Sequence, residues 1–462
     1  MTATILIIGA GFSGAITAVQ LLRQAGGPAR RVILLNRSGR MARGLAYGTQ
    51  SPDHTLNVPA GNMSAFDDEP DHFLRYCRSR DGATGPAAFV SRRLYGDYLE
   101  HLLEQAETAP PGPARLERMT GQVARLQAVP GQAGLRATLD DGRTLQADRV
   151  VLAFGHFPSA HPPLADMGFY HSPRYVRDPW GTDWLAALAP GAPVLLLGTG
   201  LTAVDICMSL LNADPARPIL AISRRGLLPQ PHRQSHAMPP AGAGPAAIWG
   251  TAVTVRAQLR AFRRHVAAGM AEGRDWRDAL ASLRPHTAAI WRAYPERERR
   301  RFLRHVQPYW DSHRHRLAPA VHQRFAAAMA GGTVRVRAAR VRAMTDAGGQ
   351  VDVLLQPRGT QTATTVRVAA VVNCTGPCSS PRATDSALVG QLLAQGMIRT
   401  DGLGLGLAVA PDCAVLDAAG TPSRTLYYIG PWLKADYWEA TAVPELRRYA
   451  AGLAATVLAA LR

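Results

Sequence analysis

Thr4-Ile5-Leu6-Ile7-Ile8, followed by Gly9-Ala10-Gly11-Phe12-Ser13-Gly14, decides how the chain begins. The first five residues are a short run of apolar β-formers. Beyond Gly14, the apolar positions Ala15, Ala18, Val19 and Leu22 recur at helical spacing. The pattern reads as strand, tight turn, helix. Gly9 permits the turn, Gly11 lets a pyrophosphate approach the backbone, and Gly14 lets the helix pack close to the strand. The N–H groups of the helix start, Ser13 among them, then face the phosphates. A GxGxxG also occurs in ordinary loops, but here a second apolar run at 31–35 follows the helix and completes a dinucleotide-binding unit. That run ends in Asn36-Arg37, where a carboxylate usually holds the adenosine ribose; a neutral Asn still accepts from and donates to ribose hydroxyls.

The same order returns near the middle of the chain. Residues 193–197 lead into Gly198-Thr199-Gly200-Leu201-Thr202-Ala203-Val204-Asp205, with Leu201 and Thr202 opening the helix and Ala203 where close packing is needed. The run 218–222 then ends in Ser223-Arg224-Arg225 instead of an acid. Arginine there suits the extra phosphate of NADPH, which a carboxylate would repel; a solvated arginine pair on a loop is the competing reading. Two such turns predict FAD at the first and NADPH at the second. Two further strand-then-glycine pieces, 149–154 ending at Gly155 and 369–374 ending at Gly376, read as crossovers between domains. The expected fold class is α/β, with two Rossmann-like dinucleotide-binding domains, the NADPH domain inserted in the FAD domain, plus a helical insertion. The expected boundaries are 1–188 for the first part of the FAD domain, 189–240 and 331–365 for the NADPH domain, 241–330 for the insertion, and 366–462 for the return to the FAD domain.

Composition supports a globular chain of several domains: 462 residues, 47% hydrophobic and 19% charged. The net charge of +18 is unevenly spread, with 20 arginines, no lysine and six acidic residues between positions 251 and 342. Basic surfaces attract polyanions, yet no RNP-like aromatic pattern, zinc-finger spacing or basic arm accompanies the charge, so nucleic acid is not expected as a partner. Arg304, Arg314 and Arg316 read instead as a cationic wall facing NADPH phosphates or an acidic substrate, or else as a helix–helix or dimer contact, with arginines on solvated helix faces the bland alternative. Cysteines 77, 207, 374, 378 and 413 form no even framework, and Cys374 and Cys378 are one residue too far apart for a CxxC pair. No metal site is expected, since His313 and His315 have no cysteine or acid at metal spacing. No apolar stretch is long enough to span a bilayer and the first residues lack a secretory pattern, so a cytoplasmic protein without a membrane partner is expected. The oligomeric state stays open.

Six stretches in combination carry a resemblance. They are Arg43-Gly44-Leu45-Ala46-Tyr47, Asn57-Val58-Pro59-Ala60-Gly61-Asn62-Met63-Ser64-Ala65-Phe66, Ser91-Arg92-Arg93-Leu94-Tyr95-Gly96-Asp97-Tyr98-Leu99, Ser223-Arg224-Arg225-Gly226, Tyr309-Trp310-Asp311-Ser312-His313-Arg314-His315-Arg316 and Trp438-Glu439-Ala440-Thr441-Ala442-Val443-Pro444-Glu445. The chain resembles bacterial FAD/NAD(P)-binding proteins related to flavin-dependent N-hydroxylating monooxygenases. The resemblance implies that Gly44, Leu45, Ala46, Asn57, Val58 and Met63 line the FAD, with Gly155 and Gly376 as further cofactor contacts. It implies that Val123 offers its backbone to the adenine. Asn62 and Ser64 are, on position, the candidates for hydrogen-bonding the oxygenated flavin. Near the end, Pro431 follows an apolar run at 425–430, and Thr441, Ala442 and Val443 precede a helix whose Pro444 suits a first turn. The N–H groups there would face the flavin; a side-chain cap by Thr441 is the alternative. The implied activity is NADPH-dependent N-oxygenation of a small amine or amino acid through a flavin C4a-hydroperoxide. An NADPH:acceptor reductase and a non-catalytic redox sensor are the alternatives.

Overall fold

The computed structural model describes residues 2–24, 26–109, 112–129, 131, 134–233 and 254–462. The positions 234–253, which include the end of the expected first NADPH segment and the start of the expected insertion, lie outside the described residues. The strands are β1 (Ala3–Ile8), β2 (Arg30–Asn36), β3 (Ala114–Thr120), β4 (Val123–Ala128), β5 (Leu135–Leu139), β6 (Thr144–Ala147), β7 (Arg149–Leu152) and β8 (Tyr175–Val176). They continue as β9 (Val194–Leu197), β10 (Ile219–Ser223), β11 (Val334–Ala347), β12 (Gln350–Pro357), β13 (Thr364–Val368), β14 (Ala370–Asn373), β15 (Ala414–Leu416) and β16 (Pro422–Tyr428).

β1 sits inside a six-stranded sheet ordered β15-β16-β7-β1-β2-β3, in which only β15 runs antiparallel to its neighbour. Covered on both faces, β1 buries Ile5, Leu6, Ile7 and Ile8, which is why it reads as an unbroken apolar run. The chain goes from β1 outward through β2 to β3, then returns to the other side of β1 as β7. The crevice at the strand ends therefore opens between β1 and β7, the topological switch point where ligands of such sheets bind. A three-stranded antiparallel sheet, β4-β5-β6, spans the return.

The second sheet repeats the arrangement, ordered β13-β12-β11-β10-β9-β14-β8, with its switch point between β9 and β14. This corrects the expected boundaries. β8 and β14 pair in parallel within the second sheet, so that domain takes in Tyr175–Val176 and Ala370–Asn373, and only β15 and β16 return to the first sheet. A short parallel strand buried on both faces reads the same in either sheet, and Ala370–Asn373 carries no mark of which one it joins. Helices between residues 255 and 330 form a separate small core of Val255, Trp291, Tyr294 and Phe302, completed by Trp438 from the C-terminal part. Leu280 and Leu283 of the same segment are also buried. Among the described residues no helix is long and apolar enough to cross a membrane.

Arg30, 1% exposed, ties the first helix to the sheet. Its guanidinium donates to the carbonyls of Leu21 at 2.9 Å, Gln24 at 2.5 Å, Gly26 at 3.0 Å and Pro28 at 3.2 Å, satisfying the C-terminal end of Phe12–Arg23. Arg30→Met fills the same space but strands these acceptors. A loss of about 3 kcal/mol in urea unfolding is expected, and unchanged stability would show that water replaces the guanidinium.

Candidate active site

A cleft of about 900 Å³ runs along the ends of both parallel sheets. At its first glycine turn, Gly9 has φ +104° and a Cβ there would stand 2.5 Å from the Ala153 carbonyl oxygen, across the switch point. A Cβ on Gly14 would stand 1.9 Å from the Gly9 oxygen, so Gly14 serves helix packing. Gly11 differs. It precedes Phe12–Arg23 with no side-chain cap, and a Cβ there would meet only the Gly44 Cα at 3.5 Å, projecting into free space. That free space beside uncapped helix N–H groups fits a pyrophosphate.

The surrounding loops continue the cradle. Asn36 Nδ2 donates to Arg40 O at 2.6 Å and lies 3.1 Å from Ser38 Oγ. The amide group is thus committed to the loop, leaving the side-chain oxygen for a ribose. Arg37, Ser38 and Arg40 line the cleft beside it. Gly44, Leu45 and Ala46 line it too, held by Arg43, which donates to both Glu100 oxygens at 2.6 Å and pairs with Asp97. Gly96 allows this approach, since a Cβ there would reach the Tyr47 carbonyl oxygen at 2.6 Å. Asn57, Val58, Asn62 and Met63 form the next stretch of wall. His232 Nε2 donates to Asn57 O at 2.9 Å; burial and the nearby Arg316 charge push its pKa down to about 4, keeping the ring neutral.

The second turn mirrors the first. Gly198 has φ +117°, a Cβ there would lie 2.3 Å from the Cys374 carbonyl oxygen, and Gly200 precedes Leu201–Ala213 without a side-chain cap. Leu201, Thr202 and Gly376 line the same cleft. Thr199 Oγ1 donates to Leu227 O at 2.6 Å and lies 2.9 Å from Ser223 Oγ, which accepts from Gly226 N, fixing the turn after β10. The two arginines beyond Ser223 have different surroundings. Arg225 donates to Arg304 O at 3.0 Å and lies over Tyr309, whereas Arg224 is exposed without an ion pair or hydrogen bond among the described residues.

Ion pairs fasten the walls. Arg92 meets Asp205 of Leu201–Ala213 at 2.8 Å, and His54 reaches from the first domain to Ser209 Oγ at 2.9 Å. Arg284 grips Glu445 with two 2.7 Å bonds, and Arg314 grips Glu439 at 2.7 and 2.8 Å, docking the helical segment on the C-terminal part. Trp291 Nε1 adds a bond to Ala435 O at 2.8 Å. Arg314 and Arg316 both line the cleft, but Arg314 is already neutralised by Glu439. Val443–Ala459 is the third helix to open on the cleft. Thr441, Ala442 and Val443 line it, and the residue preceding the helix is Ala442, with no side-chain cap, so the Thr441 cap does not form.

Several expected residues lie elsewhere. Ser64 is fully buried; its hydroxyl donates to Glu69 O at 2.6 Å and accepts from Phe66 N at 3.1 Å, so it closes its own loop and does not face the cleft. Val123 is buried at the start of the three-stranded sheet and Pro431 opens a short helical turn, and neither lines the cleft. Ser13, Gly14, Gly198, Gly200, Ser223, Arg224 and Arg225 do not line the cleft either. His156, Arg177, His232, Arg284, Trp310 and Lys434 line the cleft without having been expected. Lys434 alone had a signal in the sequence, being its single lysine.

Residues 6–157 match the family model described as FAD-NAD(P)-binding. The matched stretch ends at Phe157, just past the β7 crossover, and so contains the first glycine turn and the loops from Asn36 to Met63. Two curated relatives are similar over part of their length. An L-aspartate N-monooxygenase (nitrosuccinate-forming) of Streptomyces cremeus is 34% identical over 132 residues, 27% of this chain and 19% of that protein. The nitrosuccinic acid synthase of Aspergillus oryzae is 35% identical over 136 residues, 28% of this chain and 20% of that protein. The match thus spans about a fifth of these relatives' own lengths. Among solved structures, the ornithine N-hydroxylase of Kutzneria sp. 744, with reduced FAD, NADP+ and L-ornithine, covers 99% of both chains at TM-score 0.66 and 15% identity. L-lysine 6-monooxygenase of Pseudomonas syringae does so at TM-score 0.67 and 14% identity. The two-sheet fold with its helical segment is therefore one shared with these two hydroxylases.

Two glycine variants separate folding from cofactor binding. Gly14→Ala drives a methyl into the Gly9 carbonyl and is expected to cost about 2 kcal/mol of stability. Gly11→Ala should melt like the flavin-free parent while losing bound flavin, because its methyl occupies pyrophosphate space; thermal melts and flavin absorbance of the same preparations check both, and full flavin retention in Gly11→Ala would contradict the placement.

Proposed function

We propose that this chain is an FAD-dependent, NADPH-using monooxygenase that N-oxygenates an amino acid. The observation that carries the reading is that the first glycine turn and the start of the helix after the second, Leu201 and Thr202, line one cleft, which would let the nicotinamide of one ligand meet the isoalloxazine of the other. When bound, the flavin supplies hydride acceptance and activation of dioxygen toward a nucleophilic nitrogen. FAD fits the first cradle: Gly11 leaves its phosphates room, Asn36 and Arg37 flank the ribose position, and the uncapped N–H groups at Ala442 and Val443 favour negative charge on a flavin ring. The partly matched relatives named for N-oxygenation of an amino acid support the same chemistry.

The chain's own residues bind, orient and enclose. Asn57, Val58, Asn62 and Met63 line one side of the cleft, and the amides of Asn57 and Asn62 are able to hydrogen-bond an oxygen species, Asn62 being the one we assign to it. The bidentate Arg284–Glu445 and Arg314–Glu439 pairs hold the helical segment over the opposite side, limiting water entry. Incubation with labelled dioxygen, NADPH and a panel of amino acids and amines, read by mass spectrometry, should give a product carrying one labelled oxygen on nitrogen. Stoichiometric peroxide with no labelled product would instead identify an NADPH:acceptor reductase.

Arg224 gives the coenzyme prediction. Losing one charge-assisted phosphate contact weakens binding about tenfold, so Arg224→Ala should raise KM for NADPH by about that factor and leave NADH unchanged. Arg225→Ala should disturb both coenzymes alike, because its guanidinium braces Arg304 and Tyr309. Equal losses for NADPH and NADH in Arg224→Ala would contradict the assignment.

A further inference from the structure

Fifty-two residues of this chain are lysine or arginine, and one of them, Lys434, is lysine. A sequence that uses arginine at every other basic position keeps an ammonium at one place, and that place is the cleft wall. The two groups are not interchangeable. An ammonium is a compact point charge with three rotatable donors, whereas guanidinium is a planar fork. Lys434 follows the buried Trp432 and Leu433, and its Nζ stands 4.3 Å from the ring centroid of the buried Trp438. No hydrogen bond or ion pair holds Nζ among the described residues. Lys434 and His156 face one cavity: burial first, and the Lys434 charge second, push the His156 pKa down to about 4.

Arg316 repeats the situation on the same wall. Nearby arginines have their acids: Arg284 holds Glu445, Arg314 holds Glu439, and Arg233 and Arg277 share Asp275, with Arg233 also on Asp278. Arg316 has no hydrogen bond or ion pair among the described residues, and its buried Nε is unpartnered. Burial, then the charges of Arg314, Arg277 and Arg233, lower its pKa to about 10. At this end of the molecule four cations, Arg284, Arg314, Arg316 and Lys434, face three carboxylates, Asp311, Glu439 and Glu445. A zwitterion leaves the excess charge in place, a diamine increases it, and a ligand of net negative charge removes it. When a ligand displaces water from the cleft, an uncompensated cation becomes costly, so the ligand must supply the missing anion.

We propose that Lys434 and Arg316 are specificity-determining residues that hold the carboxylates of the substrate, and that the substrate is an amino acid with a second carboxylate instead of a second amine. The substrate identity rests on the monooxygenase reading above; the anion site rests on the wall itself. Coenzyme phosphate is the other source of the same anionic chemistry, and the test separates the two.

Binding of succinate, L-aspartate, 1,4-diaminobutane and L-ornithine is measured by flavin difference spectra on the oxidised FAD-loaded enzyme with saturating NADP+. Succinate and L-aspartate should bind at least tenfold more tightly than the two amines. Lys434→Met, Lys434→Arg and Arg316→Gln should each weaken succinate at least tenfold, while Arg300→Gln, which removes an exposed pair with Glu296, should not. Equal binding of L-ornithine, absence of dicarboxylate binding, or parent-like succinate affinity in the variants would overturn the proposal. Loss of NADP+ in place of succinate would overturn it too, by giving the cations to coenzyme phosphate. If a variant loses its flavin, the selectivity of the parent enzyme decides. Dicarboxylate binding without oxygenation of any amino acid would sink the monooxygenase reading and leave the anion site standing; oxygenation of a diamine without dicarboxylate binding would do the reverse.

Discussion

Three helices, Phe12–Arg23, Leu201–Ala213 and Val443–Ala459, begin on one cleft without a side-chain acceptor for their first N–H groups. Four helices elsewhere meet that need internally, with Ser91, Thr254, Asp275 and Ser386 each capping the helix that follows, while others, His72–Arg80 and Pro319–Ala330 among them, also start without a side-chain cap. Omitting a cap costs about 1 kcal/mol, and the cost is offset where an anion completes the helix end. Two of the three starts lie at the switch points of the two parallel sheets, where the Gly9–Ala153 and Gly198–Cys374 approaches fix the turns. The site is thus a consequence of sheet topology before any side chain is considered.

Holding three helix starts around one space requires that parts distant in sequence be fastened. Arg92–Asp205 and His54–Ser209 join the two sheets' domains, and Arg284–Glu445 and Arg314–Glu439 join the helical segment to the C-terminal part. All four link residues more than a hundred positions apart and are largely buried, the setting in which removing one partner is most damaging. The aromatic cluster of Trp291, Phe302 and Trp438 packs across the same junction. The arginine excess of the helical segment divides accordingly: part of it is mortar, and of its cleft-lining members Arg284, Arg314 and Arg316, Arg316 has no ion pair among the described residues.

What the sequence disclosed follows from the range of the interactions concerned. The glycine turns, the strands leading into them and the start at Ala442-Val443 are local and appear where the residues indicate. Asn36 and Gly44 to Ala46 also line the cleft. The return to the first sheet was misplaced because Ala370–Asn373 is an apolar run that suits either sheet, and only its pairing with Val194–Leu197 decides. Ser64 was misassigned because spacing says nothing about side-chain direction, and its hydroxyl turns back to Glu69 O. The Arg314–Glu439 pair, 125 residues apart, has no local signature. Lys434 did leave a trace, since one lysine among so many arginines is visible in composition, but its meaning depends on the cleft around it.

If the two glycine turns serve one space, reduced nicotinamide reaches the flavin directly. Anaerobic mixing of the FAD-loaded protein with NADPH in a stopped-flow spectrometer should then show loss of the oxidised-flavin absorbance in a single turnover, slowed when the transferred hydrogen of the nicotinamide is deuterium. A flavin that stays oxidised in the presence of excess NADPH and NADH, with cofactor fully bound, would contradict it.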